Sequence, residues 1–297
     1  MIRIGYVSVN TSLPSSSRTF RLTSYSEKRM LEVAKSNILA LKNILEWNKK
    51  HHIFIFRISS DLIPFGSSII NSGLWKTYLK DDLETVGKYI FENKMRVSMH
   101  PGQYTVINSP ISNVFKNALL DLEYHESVLS LMKLDLNHKI VIHGGGGYED
   151  KGKSKEVLIE RIQNLPTTIR NRLVLENDDR IFTAEEVLNI CLKTNLPAVF
   201  DTFHHSVNKS FGSLNDRDII VMFKETWQNQ RQKIHYSNQD PYKRQGAHSE
   251  TIDMGKFLTF FHTIKDLELD IMLETKDKEQ SVLKVLKTIK QWYNVAK

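Results

Sequence analysis

The sequence holds a single cysteine, Cys191, so no disulfide can form within the chain. Cys191 lies in an apolar-periodic segment and reads as a buried thiol, not a nucleophile, in a protein suited to a reducing, cytoplasmic interior. No run is long and apolar enough to span a bilayer, and the opening Met1-Ile2-Arg3-Ile4-Gly5-Tyr6 lacks the basic-then-apolar pattern of a signal segment. No Pro/Gly/Ser-rich linker divides the chain, so one domain over residues 1–297 is expected; the Ser-rich stretch 11–17 reads as the loop after a first strand. No Gly-rich dinucleotide fingerprint follows that strand. No Ser-His-Asp or Cys-His set offers a nucleophile.

Acidic charge is in the minority. Lys and Arg number 41 against 34 Asp and Glu, a formal net charge of +7. That excess favours polyanions through Coulomb attraction and counterion release. Hydrophobic residues make up 40% of the chain, enough to fill a large core and to exclude general disorder.

What is present is one pattern repeated. Short β-rich apolar runs at 2–9, 53–59, 96–99, 139–143, 173–176, 198–203, 233–236 and 269–274 predict buried parallel strands. Helical spacing of apolar residues marks 27–50, 74–93, 114–134, 157–169, 183–193, 215–227, 254–264 and 279–295 between and after them. Thr183 followed by Glu185 and Glu186 predicts a helix start, with an N-cap and an acidic first turn. Alternating strands and helices in a chain of 297 residues predict a (β/α)8 TIM barrel, against an open doubly wound sheet.

In such a barrel the chemistry sits at the C-terminal ends of the strands. His100, His143, Glu176, Asp201 with His204, His235 and Glu274 fall at those ends, and His248 falls in the loop after the seventh strand. A carboxylate facing a barrel interior is costly unless paired or metal-bound. Eight such groups at one mouth suit two or three divalent ions; the ligand types fit Mn2+, Zn2+ or Fe2+ without choosing among them, and Mn2+ is the one expected first. The other six histidines, His51, His52, His125, His138, His205 and His262, are assigned to surface or packing roles. Several metals on a basic protein point to phosphodiester cleavage, in which ions activate water and stabilise the attacking and leaving oxygens.

The motifs resemble the UV damage endonuclease family. The resemblance rests on His100-Pro101-Gly102-Gln103-Tyr104, Ile4-Gly5-Tyr6 with Asn10, and His143-Gly144-Gly145-Gly146. It also rests on Leu175-Glu176-Asn177-Asp178, Asp201-Thr202-Phe203-His204-His205, Lys233-Ile234-His235-Tyr236-Ser237 and His248, in order along the whole chain. The family is similar in fold to endonuclease IV-type abasic nucleases. The resemblance implies that Glu176 bridges two ions, that His100 and His143 complete one site, that Asp201, His235 and Glu274 complete the second, and that His204 and His248 hold a third. It implies nicking of damaged double-stranded DNA immediately 5′ to cyclobutane dimers, 6-4 photoproducts and some abasic sites, leaving 3′-hydroxyl and 5′-phosphate without ATP. Gln103 and Tyr104 become the wedge that fills the gap when a lesion is flipped out, and Tyr6 and Asn10 become lesion contacts. Damaged, poorly stacked steps are cheaper to open, and an inserted aromatic offsets lost stacking.

Lys233, two residues before His235 and on the same strand face, is expected to be neutral, carboxylated or turned to a phosphate, because a protonated lysine would be repelled by neighbouring cations. An ordinary ion pair inside the barrel is the alternative. Arg18, Arg21, Arg29, Lys243 and Arg244 are candidate phosphate contacts. A monomer active at the bacterial nucleoid is expected. A metal-dependent sugar isomerase or epimerase, a plain abasic-site nuclease and a non-catalytic damage-binding protein are the competing readings.

Overall fold

Runs of four to six residues rich in Val, Ile and Leu are too short for stable helices but sufficient for strands buried on both faces. They form β1 (Arg3–Ser8), β2 (Ile55–Ile58), β3 (Arg96–Met99), β4 (Lys139–His143), β5 (Leu173–Glu176), β6 (Ala198–Asp201), β7 (Gln232–Tyr236) and β8 (Leu269–Leu273). The computed structural model describes residues 1–295, with side chains described to Gln291. Among them the eight strands close into a parallel barrel in sequence order, with β8 pairing β1.

The helices are α1 (Glu27–Lys50), α2 (Trp75–Tyr78), α3 (Lys80–Glu92), α4 (Ser112–Leu131), α5 (Lys151–Gln163), α6 (Thr167–Arg170), α7 (Ala184–Thr194), α8 (Thr202–Val207), α9 (Asp216–Lys224), α10 (Met254–Ile264) and α11 (Glu279–Val295). In α1 the residues Met30, Ala34, Ile38, Leu41 and Leu45 are buried at helical spacing, and the Ser26 side chain caps the first turn. Thr183 and Glu186 form the reciprocal capping box of α7.

Three expected elements break. The helix expected over 74–93 divides at Leu79, whose φ of −106° and ψ of 8° leave the helical region between α2 and α3. The helix expected over 157–169 stops at Gln163, because Pro166 cannot continue it. The strand expected over 198–203 ends at Asp201, whose side chain accepts the His204 amide at 2.8 Å and starts α8.

Side chains alternate across each strand. One parity packs the helices in a main core; the other fills the barrel. Val7, Ile55 and Met272 form one interior cluster, and Val141, Val174 and Val199 pack with Trp227 in another. Below them Asp270, fully buried, pairs with Arg3 at 2.7 Å, Arg96 at 2.8 Å and Arg231 at 2.7 Å. The Arg96 guanidinium lies over the Trp227 ring at 5.3 Å. Above them, at the C-terminal ends of the strands, the interior is lined by carboxylates and imidazoles.

Candidate metal centre at the barrel mouth

The inward parity that carries Val141, Val174 and Val199 also carries His143, Glu176 and Asp201 two residues on, so apolar layer and polar rim follow from one alternation. Ligand atoms of His100, His143 and Glu176 all lie within 4.8 Å of one another, as do those of Glu176, Asp201, His235 and Glu274. Glu176 belongs to both groups. Its Oε2 lies 2.9 Å from Nε2 of His100 and its Oε1 lies 2.8 Å from Nδ1 of His235. His235 Nδ1 also lies 3.1 Å from Glu274.

Second partners fix the imidazoles. His100 Nδ1 is 2.9 Å from the Pro101 carbonyl, and His204 Nδ1 is 2.9 Å from the Asn177 carbonyl. A carbonyl can be met there only by a protonated Nδ1, so each imidazole, once neutral, keeps its lone pair on Nε2. Asp201 Oδ2, His143 Nδ1, His235 Nε2 and His248 Nδ1 are buried with no hydrogen-bond partner. Buried polar atoms are rarely left orphaned. Four such atoms of ligand type at one mouth fit divalent cations.

His204 and His248 are neighbours, with ring centroids 5.7 Å apart, and His204 stands 5.4 Å from His143. Among the described residues they do not join a group of three or more ligand atoms. The expected third site is therefore a pair of imidazoles open toward the cavity.

The electrostatics agree with a cation site. Burial pushes the His143 imidazole down to about 4, despite the opposing charge of Glu176, so it is neutral at physiological pH. Burial would raise the Glu176 carboxyl, but His235 and His143 outweigh it and hold it well below the usual range. Burial likewise opposes, and Arg57 with His235 overcomes, in holding the Glu274 carboxyl down. The Asp201 carboxyl is raised by burial and by Glu176 and Glu274. For His204 burial is overcome by Asp201 and Glu176, which lift it to about 9. Carboxylates crowded without cations repel one another, and cations relieve that repulsion.

Lys233 is 1% exposed, and its Nζ has no hydrogen-bond partner. Burial first, then Arg96, drives its ammonium well below the ordinary value, with only Asp270 opposing among the leading influences. At that depth a phosphate cannot reach it.

A cavity of about 860 Å3 opens over these groups, lined among others by Arg57, His100, Gln103, Tyr148, His204 and Arg244. Gln103 and Tyr104 occupy the two central positions of a tight turn closed by the Thr105 amide on the Gly102 carbonyl at 2.9 Å. Tyr104 is 69% exposed while Pro101 and Thr105 at the base are buried. A Cβ at Gly102 would lie 2.4 Å from the Tyr104 ring, so a side chain there would push the exposed tyrosine aside.

Two expected lesion contacts are not at the cavity. Tyr6 is fully buried on the outward parity of β1, where its hydroxyl donates to Asn48 of α1 at 2.7 Å and its ring meets Phe56 edge-on. Asn10, 2% exposed, donates to the Tyr6 hydroxyl at 2.9 Å. Both are corrected to packing roles between sheet and helix; a strand places alternate residues on opposite faces, and Tyr6 has the wrong parity to look into the barrel. Of the basic candidates, Arg244 lines the cavity, whereas Lys243 pairs with Glu250 at 2.9 Å and Arg29 stacks on Phe20.

Sequence reasoning missed Arg57, whose Nη1 lies 2.5 Å from Glu274. Its signal was the one used for the acids, a charge inside the apolar run Ile55-Phe56-Arg57-Ile58. It also missed the role of Asn177, whose side chain clamps the Asp201 backbone through bonds of 2.8 and 3.0 Å.

A profile of the UV-endonuclease UvdE family matches residues 2–297 of this chain. A UV DNA damage endonuclease of Clostridium perfringens is 41% identical over 298 residues, covering 98% of this chain and 71% of that relative. The crystal structure of SacUVDE superposes with a TM-score of 0.94 at 41% identity, covering 99% of both chains. Endonuclease IV from Thermus thermophilus superposes with a TM-score of 0.58 over 98% of this chain and 99% of that one, at 13% identity, a likeness of fold alone.

Proposed function

The chain belongs to the UV-endonuclease UvdE family, and on that premise we propose that it nicks double-stranded DNA immediately 5′ to UV photoproducts and some abasic sites, using two or three divalent cations held at the barrel mouth. It is an endodeoxyribonuclease of UV-damage DNA repair. Family membership removes the sugar epimerase as a reading. The observation that carries the finer proposal is Glu176, whose carboxylate serves both groups of ligand atoms.

In this reading His100, His143 and Glu176 would hold one cation and Glu176, Asp201, His235 and Glu274 another, and His204 and His248 would be available to a third. Cations so placed supply positive charge against the phosphodiester and lower the pKa of an attacking water, with Mn2+ the first choice and Zn2+ or Fe2+ the alternatives. The chain's own part is geometric. The Pro101 and Asn177 carbonyls fix the tautomers of His100 and His204, and Arg57 orients Glu274. Arg244, on the cavity wall, would meet the DNA backbone. The Gln103–Tyr104 turn enters the duplex, and the cavity receives what it displaces.

Lys233 is read as neutral or carboxylated. A carbamate would give acceptor oxygens to a barrel interior where Arg96 Nη2 and Ser98 Oγ are buried without partners. Its place two residues beneath His235 makes it a support of the centre.

The test is a labelled duplex with one thymine dimer, incubated with the protein and Mn2+. A nick 5′ to the dimer is expected. Retardation without a nick would make the protein a damage binder, and a nick only at an abasic site would make it a plain abasic nuclease.

A further inference from the structure

Helix α4 contributes no residue to the ligand groups, yet three residues on one of its faces hold both ends of the exposed turn. Asp121, Tyr124 and His125 stand at i, i+3 and i+4, so their side chains leave the helix together. Asp121 Oδ2 accepts the Thr105 hydroxyl at 2.5 Å, immediately after Tyr104. His125, fully buried, places Nδ1 2.6 Å from the Asp121 carbonyl and Nε2 2.9 Å from the Ser60 hydroxyl. That hydroxyl also lies 2.7 Å from the His100 carbonyl, and its one proton is shared between the carbonyl and the His125 Nε2 lone pair. Tyr124 donates to the Ser60 carbonyl at 2.9 Å and accepts the Ile63 amide at 3.1 Å. The segment from His100 to Thr105 is thus tied at its first and last residues to one rigid element, and only Gln103 and Tyr104 are exposed between the ties.

We propose that Asp121, Tyr124 and His125 of α4, acting through Ser60 and Thr105, are positioning residues that hold the Gln103–Tyr104 turn upright for damage recognition. The argument is entropic. A wedge must enter a stacked duplex in one orientation, and a turn free to swing would lose that freedom on binding, weakening the complex. Two tethers to a helix remove the freedom before DNA arrives. The upper tether ends on the backbone of a metal ligand, so it serves centre and wedge together. The lower tether, Thr105 to Asp121, bears on the wedge alone and is the one to cut.

The inference rests on the function proposed above, and the experiment keeps the two apart. Thr105→Val preserves shape and removes the hydroxyl; Thr105→Ser restores it. With Mn2+, kcat and KM are measured on a thymine-dimer duplex, binding is measured on the same duplex without the dimer, and thermal melting reports the fold. Thr105→Val is expected to raise KM about tenfold, the worth of a strong hydrogen bond to a carboxylate, with kcat and undamaged-duplex binding near wild type and Thr105→Ser recovering most of the loss. An unchanged KM, equal weakening on undamaged duplex, or no recovery with serine would overturn the proposal, since a merely structural tether would not move the damaged-to-undamaged ratio. Should Thr105→Val unfold, Asp121→Ala read by the same ratio decides in the same way. A wild-type protein that never nicks the dimer would instead remove the proposed function and leave the tethers a structural fact.

Discussion

His143 and Glu176 are register partners on adjacent strands, the last residues of β4 and β5. Parallel pairing places their side chains on the same face at the same height, although 32 residues separate them in sequence. A shared cation is the simplest use of a neutral imidazole beside a buried carboxylate. His143→Ala and Glu176→Gln are each expected to lower nicking by more than about a hundredfold, beyond what loss of an outer metal partner usually costs, while gel retardation of duplex DNA persists. Chelation should copy the effect and added Mn2+ reverse it. Wild-type nicking by either variant would refute the ligand assignment.

Tyr104→Ala tests the wedge. An inserted aromatic is worth about 1–3 kcal/mol of stacking, so the dissociation constant for a dimer-containing duplex should rise about tenfold. Binding to undamaged duplex should change far less, because backbone contacts with basic residues remain. Fluorescence anisotropy on both duplexes measures the ratio.

Lys233 makes a mass prediction. If its Nζ carries a carbamate, native mass spectrometry at neutral pH shows the added mass of one CO2, lost on acidification. Lys233→Met should lower metal occupancy or activity without removing the fold. A wild-type spectrum free of the adduct in bicarbonate buffer leaves the neutral amine as the state of this residue.

His138 gives a pH dependence away from the metal groups. Its Nδ1 accepts the Val97 amide at 3.0 Å, which only an unprotonated Nδ1 can do. Burial pushes the imidazole down to about 4, helped by Arg96 and Arg172 and opposed by Asp135. Between the ordinary value of about 6.5 and the folded value the unfolded chain binds the extra proton, so stability is retained above that window and falls as pH drops through it. The full loss from this one group is about 3 kcal/mol at most. His138→Asn keeps an acceptor for the amide and should flatten part of that slope in urea titrations at several pH values. A slope identical to wild type would mean that His138 is not the group responsible.

The mouth residues were legible because their chemistry contradicts their surroundings. A His or an acid ending a Val/Ile run stands out, and the barrel fold says where such residues meet. Tyr6 belongs to a family-like motif, but its parity on β1 depends on which alternate residues of that strand turn inward, which the motif does not tell. Arg3 pairing with Asp270 settles that choice, and the pairing spans 267 residues. His125 looked like core because α4 is an apolar-faced helix; its partner Ser60 lies 65 residues away on another loop. The short α8 was hidden because Asp201 is both strand end and helix cap. Local patterns report which residues are unusual, and long-range contacts decide what they touch.

The arginine-bound Asp270, with Arg96 stacked over the Trp227 ring, fills the bore of this barrel beneath the mouth with packed side chains. Traffic has one doorway. Ions, water and the strand ends left by a nick must all pass the side on which the duplex lies, so a bound duplex guards whatever it has closed over. Chelators should therefore strip the free protein faster than the complex.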